Sequence, residues 1–135
     1  MKIGADEFAK IGHPNYPGTL LFGVSGNVNK PGVYELPTGT PLKKLLYDIC
    51  GGVENGKKLK AIIPGGASMV PLRADEIDNL TLDPDSLRSV GSGIGTGGMI
   101  IIDEDADLVE ICYRISKFFH HESCGRCTPC REGNG

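Results

Sequence analysis

Three cysteines within seven residues constrain the fold of this chain more than any other feature of its sequence. Cys124, Cys127 and Cys130 are each separated by two residues and follow a segment with helical periodicity. The other two cysteines, Cys50 and Cys112, stand alone. An odd number of cysteines clustered in this way does not fit a disulfide framework, and in a reducing compartment closely spaced thiols favour metal or redox chemistry.

The Cys-x-x-Cys-x-x-Cys spacing of this cysteine triplet predicts an iron–sulfur site. It equals the first three positions of the bacterial ferredoxin run, in which successive sulfurs converge on the irons of a cluster. Structural zinc more typically uses two separated ligand pairs, and a thioredoxin-like dithiol follows a strand, so zinc and redox or fortuitous thiols stay open as alternatives. A tetranuclear cluster takes four protein ligands. We interpret Cys50 and Cys112 as small buried hydrophobes, so the fourth ligand is predicted to be absent from the chain.

The neighbours of the triplet allow more than one interpretation. Arg126 and Arg131 would offset the negative charge of a thiolate-ligated cluster and raise its potential, or they are simple surface arginines. His120 and His121 are adjacent and do not share a helix face, so we interpret them as a solvated helix end instead of metal ligands. Gly125 is expected to spare bulk where backbone amides approach sulfur.

Composition and charge limit the classes of function. Glycine occupies 20 of 135 positions, about twice the ordinary usage of roughly 7%, so much of the chain is turn. The formal net charge is −3, from 14 basic and 17 acidic residues, which disfavours nucleic acid and anionic membrane surfaces as partners. No apolar run approaches the roughly 18 residues of a membrane span, and the N-terminus lacks a signal-peptide core. We predict a soluble, cytoplasmic protein of one compact domain plus a short appendage.

Periodicity and turn signals predict a small α+β fold. Thr19–Ser25 and Gly32–Leu36 are β-rich runs joined by a turn, which indicates a hairpin. Thr40 is the predicted N-cap of an amphipathic helix of about ten residues that ends at Gly51. Further strands are predicted at 59–63, 69–72 and 99–102, turns at 73–87, a second helix after the carboxylates of 103–107, and irregular structure around Pro14 and Pro17. One helix then packs across a mixed sheet, and the second helix lies outside it.

A glycine-rich run, Gly93 to Gly98, formally matches the dinucleotide fingerprint G-x-G-x-x-G. That fingerprint needs a strand before it and a helix after it. Here a polar segment precedes the glycines and an apolar strand follows them, so we predict no nucleotide site. The glycines instead allow close backbone packing or positive φ, or they let this segment sit against the cofactor site of a separate domain.

The residues around the triplet also carry a specific resemblance. The run ESCGRCTPCREG, from Glu122 to Gly133, resembles the cluster-binding signature of the flavoprotein (F) subunit of NADH:quinone oxidoreductase, shared with NAD-linked hydrogenases and formate dehydrogenases. Upstream, LFGVSGNVNKPGVYEL (21–36) with GTPL (39–42) is similar to the SLBB β-grasp domain of that family. Residues 85–103 resemble the segment that joins this domain to the cluster helices. The resemblance covers nearly the whole chain.

The resemblance implies four parts in this chain: the end of an FMN- and NADH-binding domain (1–18), a β-grasp (ubiquitin-like) SLBB domain (19–82), a glycine-rich connector and strand (83–104), and the first helix and ligand loop of a 4Fe-4S-binding domain (105–135). By motif matching, Cys124, Cys127 and Cys130 are three cluster ligands, and the fourth cysteine of the family lies beyond residue 135. FMN and NADH are bound in the family by the preceding domain. No residue of this chain is therefore expected to bind either one or to be catalytic.

The function implied by the resemblance is electron transfer. In the family, electrons pass from NADH to FMN and then through this cluster to partner subunits and on to quinone. The chain would then belong to an oxidoreductase subunit that is peripheral to a membrane complex and does not insert into the membrane, while the chain alone is expected to be inactive. The alternatives are the equivalent subunit of an NAD-linked (bifurcating) hydrogenase or formate dehydrogenase, and a stand-alone SLBB ligand-binding module.

Overall fold

The computed structural model describes residues 3–133, and the chain divides into two compact units, 1–104 and 105–135. The elements in chain order are α1 (Ala5–Phe8), β1 (Gly12–His13), β2 (Tyr16–Pro17), β3 (Thr19–Gly26), β4 (Gly32–Pro37), a π-helix (Lys44–Ile49), a 3-10 turn (Glu54–Gly56), β5 (Leu59–Ile63), β6 (Leu72–Arg73), α2 (Pro84–Ser89), β7 (Gly98–Asp103), α3 (Leu108–Glu122) and α4 (Thr128–Gly133). The predicted combination of helices with a mixed sheet is confirmed.

The main sheet of the first unit has the strand order β4-β3-β7-β5-β6. β3 and β4 form the predicted antiparallel hairpin, with Phe22 opposite Tyr34. β7 lies parallel to β3, with Gly98 opposite Gly23, and antiparallel to β5. Because parallel strands need a long crossover, the chain between β3 and β7 has to travel over the sheet, and the π-helix lies within that crossover.

One face of this sheet carries the hydrophobic core. The two-residue period of β3 directs Phe22 and Val24 to the same face, where both are buried. Leu42, Leu45 and Leu46, at the helical spacing seen in the sequence, are buried in the same cluster. Burying one side chain of this size stabilises the fold by about 1.5–3 kcal/mol, so this cluster is the main source of stability in the first unit.

The predicted first helix is present, but it is wound differently. Lys44–Ile49 form a π-helix, and the Cys50 amide donates to the Leu45 carbonyl, five residues back, over 2.9 Å. The Thr40 hydroxyl donates to the Pro37 carbonyl over 2.7 Å and caps nothing. The predicted Thr40 cap is therefore wrong, because this short polar side chain satisfies the turn that ends β4 instead.

The segment before β3 is more regular than the sequence predicts. β1 and β2 pair in a short antiparallel hairpin, with Pro17 as the last residue of β2. The buried Thr38 hydroxyl accepts from the His13 amide over 2.9 Å and donates to the Tyr16 carbonyl. The expectation of irregular structure fails because side-chain and backbone bonds from Thr38 hold a hairpin that two prolines alone would disfavour.

Helix α2 lies where the sequence predicts only turns. The Asp83 carboxylate accepts from the Ser86 amide over 2.9 Å, and Pro84 occupies the first position of the helix. Leu87 is fully buried and anchors the helix in the core. With six residues and one buried leucine, α2 is too short to show a hydrophobic period. Strand β6 begins at residue 72, whereas the sequence predicts a strand that starts at residue 69.

The glycine-rich loop packs backbone against backbone. A Cβ added to Gly95 would collide with the Gly65 carbonyl oxygen, and Gly95 itself has φ +47°. The Thr96 amide donates to the same carbonyl over 3.0 Å. The loop leads into β7, as predicted, so its order is not that of a dinucleotide fingerprint. The interpretation that these glycines serve close packing and positive φ is confirmed.

The second unit consists of α3, a short loop and α4. Ile111, Ile115 and Phe119 are half-buried along one stripe of α3, whereas Tyr113 and Phe118 are exposed. No side chain within α3 is buried. None of the helices in residues 3–133 combines the length and the apolar character that crossing a membrane requires.

Candidate metal centre

Helix α3 positions the cysteine triplet, and a carboxylate fixes where the helix begins. Asp107 Oδ1 accepts from the amides of Val109 (2.8 Å) and Glu110 (3.4 Å), as predicted for an N-cap in residues 103–107. Glu110 also pairs with Arg114 one turn later, at 2.7 Å. The helix ends at Glu122, where Ser123 takes an extended conformation and starts the loop.

The loop turns at Gly125 and continues directly into α4. Gly125 has φ +68°, and a Cβ at this position would meet nothing within 4 Å. The left-handed backbone by itself favours glycine here, and the expectation that Gly125 also spares bulk next to a cluster sulfur stays a prediction. Pro129 lies in the first turn of α4, where its missing N–H costs nothing, and the Arg131 amide donates to the Cys127 carbonyl over 2.9 Å.

The structure places all three cysteines of the triplet on exposed positions of this loop and helix. Ser123 Oγ lies 3.2 Å from Cys130 Sγ and accepts from the Gly125 amide over 3.3 Å. These two contacts close the loop from its first residue to its last cysteine. Within residues 3–133, no group of three or more His, Cys, Asp or Glu side chains is arranged to hold a metal ion. The three sulfurs are thus on one loop without surrounding one point.

The three thiols of the triplet are the donor atoms that indicate which metal group these residues fit. Thiolates are the ligands of iron–sulfur clusters, and three of them on one accessible loop match three of the four positions that a 4Fe-4S cluster offers. A structural zinc site would likewise use four such ligands, so it is the Cys-x-x-Cys-x-x-Cys spacing that favours iron–sulfur. The residues therefore fit an iron–sulfur cluster in kind, with one ligand still to be supplied.

Some of the charged residues next to the triplet pair with each other. Arg131 Nε donates to Glu132 over 2.9 Å, and His121 Nδ1 lies 2.9 Å from the carboxylate of Glu122. His120, His121 and Arg126 are exposed. The prediction of a solvated helix end at the two histidines is confirmed, whereas Arg131 serves an exposed ion pair, which contributes about 1 kcal/mol or less.

The two isolated cysteines differ from each other. Cys50 is fully buried next to Tyr34, as predicted for a small hydrophobe, and burial raises the pKa of its thiol while Tyr34 and Lys30 oppose that shift. A thiol kept neutral in this way is unsuited to ligate a metal. Cys112 is exposed, so the prediction that it is buried is wrong: its helical stripe is only partly covered.

Sequence reasoning missed a polar cluster beside the N-terminal hairpin. The Tyr16 hydroxyl donates to Asp85 over 2.8 Å, and this hydrogen bond, followed by burial, raises the pKa of Tyr16. Burial acts to raise the pKa of Asp83, but hydrogen bonds from the Thr81 hydroxyl and the Ser86 amide outweigh it and hold that pKa below its usual value. Asp83-Pro84 followed by Ser86 is the signal of a capped helix that could have indicated this cluster.

A shallow groove of about 420 Å³ opens on the first unit. It is lined almost wholly by apolar atoms, mostly from β3, β4 and β7, and its lining includes Val33, Ile100 and the paired Gly23 and Gly98. None of its lining residues is titratable. It therefore offers no acid, base or metal ligand.

Two protein families match this sequence. The SLBB domain family matches residues 21–72, which run from β3 to the start of β6. The family described as the NADH-ubiquinone oxidoreductase-F iron-sulfur binding region matches residues 110–135, which contain the cysteine triplet.

Curated relatives align with the chain from end to end. The F subunit of NADH-quinone oxidoreductase from Rickettsia typhi is 54% identical over 136 aligned positions, which cover 100% of this chain and 32% of the relative. The same protein from Rickettsia bellii is 48% identical, with 100% of this chain and 33% of the relative covered. The chain therefore spans about a third of the length of the curated relatives that it matches.

A solved structure agrees with these sequence matches. The NAD+-reducing NiFe hydrogenase in its air-oxidized state has a chain that superposes with a TM-score of 0.77 and 33% identity, covering 97% of this chain and 22% of the other. The resemblance to the flavoprotein-subunit family is thus confirmed, with the SLBB and iron–sulfur regions in the predicted order.

Proposed function

We propose that this chain is the part of an NADH-oxidising flavoprotein subunit through which electrons leave towards partner subunits. The observation that carries the proposal is the exposed cysteine triplet, with Cys124 and Cys127 on the loop after α3 and Cys130 in α4, inside the residues that match an iron–sulfur binding region. A 4Fe-4S cluster bound there would supply one-electron transfer at thiolate-ligated iron.

Cys124, Cys127 and Cys130 are the ligands that we propose. The left-handed turn at Gly125 reverses the chain between the first two, and α4 holds Cys130 close behind Cys127. None of the residues 123–133 is buried, so the side chains of the triplet are free of core packing that would keep them from one centre. We propose that the fourth ligand is a residue that this chain does not contain, because Cys112 lies ten residues before the end of α3, roughly 15 Å along the helix from the start of the loop.

We propose a β-grasp architecture for the first unit. The hairpin of β3 and β4, the helix in the crossover and the parallel pairing of the first and last strands of the main sheet support it. β7 pairs with both β3 and β5, so the strand of the 83–104 part completes the sheet of this unit. The four-part division at residues 18, 82 and 104 remains a proposal, and the second unit, from residue 105, would begin the cluster-binding domain.

The activity that we propose belongs to the longer protein of which the relatives are examples. It would oxidise NADH with FMN in a domain outside these residues, and pass electrons through the cluster to quinone via other electron-transfer subunits at the cytoplasmic face of a membrane complex. The structural similarity to an NAD+-reducing hydrogenase supports the equivalent hydrogenase subunit as the second candidate. The residues of this chain would serve both in the same way, by holding the cluster.

The test is iron binding by the complete subunit that carries this sequence, purified without oxygen. We expect four irons at this site and an electron paramagnetic resonance signal upon reduction. Both should be lost when Cys124, Cys127 and Cys130 are changed to serine, while the matched control Cys112→Ser, an exposed cysteine outside the loop, should retain them. Zinc in place of iron, or full iron content in the triple variant, would contradict the proposal.

A further inference from the structure

A serine hydroxyl ties the last cysteine of the triplet to the start of the loop. Ser123 Oγ lies 3.2 Å from Cys130 Sγ, within hydrogen-bonding distance for sulfur, although the two residues are seven positions apart. The Gly125 amide points at the same oxygen, at 3.3 Å. Ser123 thus contacts one proposed ligand directly and, through Gly125, the turn between the other two.

The partners of Ser123 fix the direction of these bonds. The hydroxyl accepts from the Gly125 amide, which can only donate, and keeps its own proton for a second partner. A cysteine that ligates iron is a thiolate and can only accept. The geometry points to an O–H···S bond from Ser123 to Cys130. We propose that Ser123 is a positioning residue that holds Cys130 in place and tunes the potential of the cluster.

The inference rests on the proposed function, because it concerns a cluster at the triplet. A hydrogen bond donated to a ligand sulfur withdraws negative charge from it. Reduction adds an electron, so the bond stabilises the reduced state more than the oxidised one and raises the reduction potential. Arg131 already pairs with Glu132 at 2.9 Å, whereas the Ser123 hydroxyl is in direct contact with a ligand sulfur.

The experiment compares Ser123→Ala and Ser123→Thr in the complete subunit with wild type. The alanine variant removes the donor, and the threonine variant keeps it. Ser116→Ala, an exposed serine in the middle of α3, is the matched control. The readouts are iron content and the midpoint potential, obtained from a redox titration followed by electron paramagnetic resonance, and neither needs NADH turnover.

We expect Ser123→Ala to shift the one-electron reduction equilibrium by up to about tenfold towards the oxidised state, which is 59 mV more negative. Ser123→Thr and Ser116→Ala should match wild type. Loss of iron from Ser123→Ala alone, with iron retained in Ser123→Thr, would equally show that the hydroxyl holds the ligand.

Three further outcomes separate this inference from the proposed function. Iron bound in all variants with one common potential would overturn the role of Ser123 and leave the proposed cluster intact. Loss of iron from both Ser123 variants would also overturn it, since the hydroxyl would then not be what matters. A wild-type subunit that binds no iron would overturn the proposed function and this inference with it.

Discussion

The two units of this chain are built on opposite principles. In the described residues, every buried hydrophobic side chain lies between residues 22 and 102, in the first unit, whereas no residue of α3 or α4 is buried. The first unit takes its order from apolar packing and a hydrogen-bonded sheet. The loop of the second unit takes its order from local polar contacts, such as those of Ser123 with Cys130 and Gly125.

This difference means that the residues that stabilise the fold are not the residues of the candidate site. A residue that is fully buried contributes to the free energy of unfolding, while an exposed cysteine contributes its chemistry and little else. The fold should therefore tolerate changes at the triplet and be sensitive to changes in the core.

The largest effect is expected at Phe22, which is 0% exposed in the centre of β3. Phe22→Ala removes a large buried ring and leaves a cavity, so it should lower the free energy of unfolding by about 3–5 kcal/mol. Urea unfolding followed by far-UV circular dichroism measures this, since the sequence contains no tryptophan. The matched control is Phe118→Ala on α3, where the ring is 54% exposed, and its effect should stay within about 0.5 kcal/mol. Equal losses of unfolding free energy in the two variants would contradict the contrast between the two units.

The second effect is expected in the glycine-rich loop. Gly95→Ala places a methyl group against the Gly65 carbonyl at a left-handed φ of +47°, so overpacking and backbone strain should together cost about 2–4 kcal/mol. Gly23→Ala is the control, because its Cβ would meet nothing within 4 Å and its φ is ordinary. The midpoint temperature should fall clearly for the first variant and stay near wild type for the second. A well-tolerated alanine at residue 95 would show that the loop can move aside.

A smaller effect is expected at the cap of α2, and it depends on pH. The folded pKa of Asp83 lies below its unfolded value of about 3.9, so its contribution is present above that pH and is lost as the pH falls through the folded pKa. Asp83→Ala should cost about 1 kcal/mol at pH 7. Asp75→Ala, whose partner Arg73 is exposed, should cost less than about 0.5 kcal/mol.

The measurement for this cap is chemical unfolding at pH 7 and again at pH 3. The gap between wild type and Asp83→Ala should narrow at the lower pH, because protonation weakens the cap in wild type alone. A gap that stays constant would mean that the cap works through geometry and not through the charge of the carboxylate.

The sequence predicts correctly those helices and strands whose signals lie in neighbouring residues. The hairpin, β5, β7 and α3 follow from alternation, from the helical period and from the capping carboxylate Asp107. Prediction from the sequence fails at Thr38 because the contact is distant: this hydroxyl orders a hairpin more than twenty positions earlier. It fails at Thr40 because two local roles compete, and the hydroxyl bonds to the turn before it instead of capping the helix. Helix α2 is not predicted from the sequence because its single buried side chain, Leu87, cannot show a hydrophobic period.

The candidate site shows the same division between local and distant information. The spacing of the cysteines is local, so the sequence indicates the chemistry of the triplet directly. The contact between Ser123 and Cys130 depends on the left-handed turn at Gly125 and on the start of α4, which no periodicity reveals. The prediction for Cys112 is wrong for a related reason, since an apolar stripe indicates which face can be covered and not whether it is covered.

The smallest effect is expected at the triplet itself. Changing Cys124, Cys127 and Cys130 to serine alters three exposed side chains outside the core, so the unfolding free energy of the first unit should change by less than about 0.5 kcal/mol. The control is one cysteine in the core: Cys50→Ser buries a hydroxyl in an apolar cluster and should cost about 1–3 kcal/mol. Both variants are compared with wild type by calorimetry under metal-free, reducing conditions. Loss of cooperative unfolding in the triple variant, with Cys50→Ser unaffected, would reverse the comparison and show that the loop itself is part of what holds the fold together.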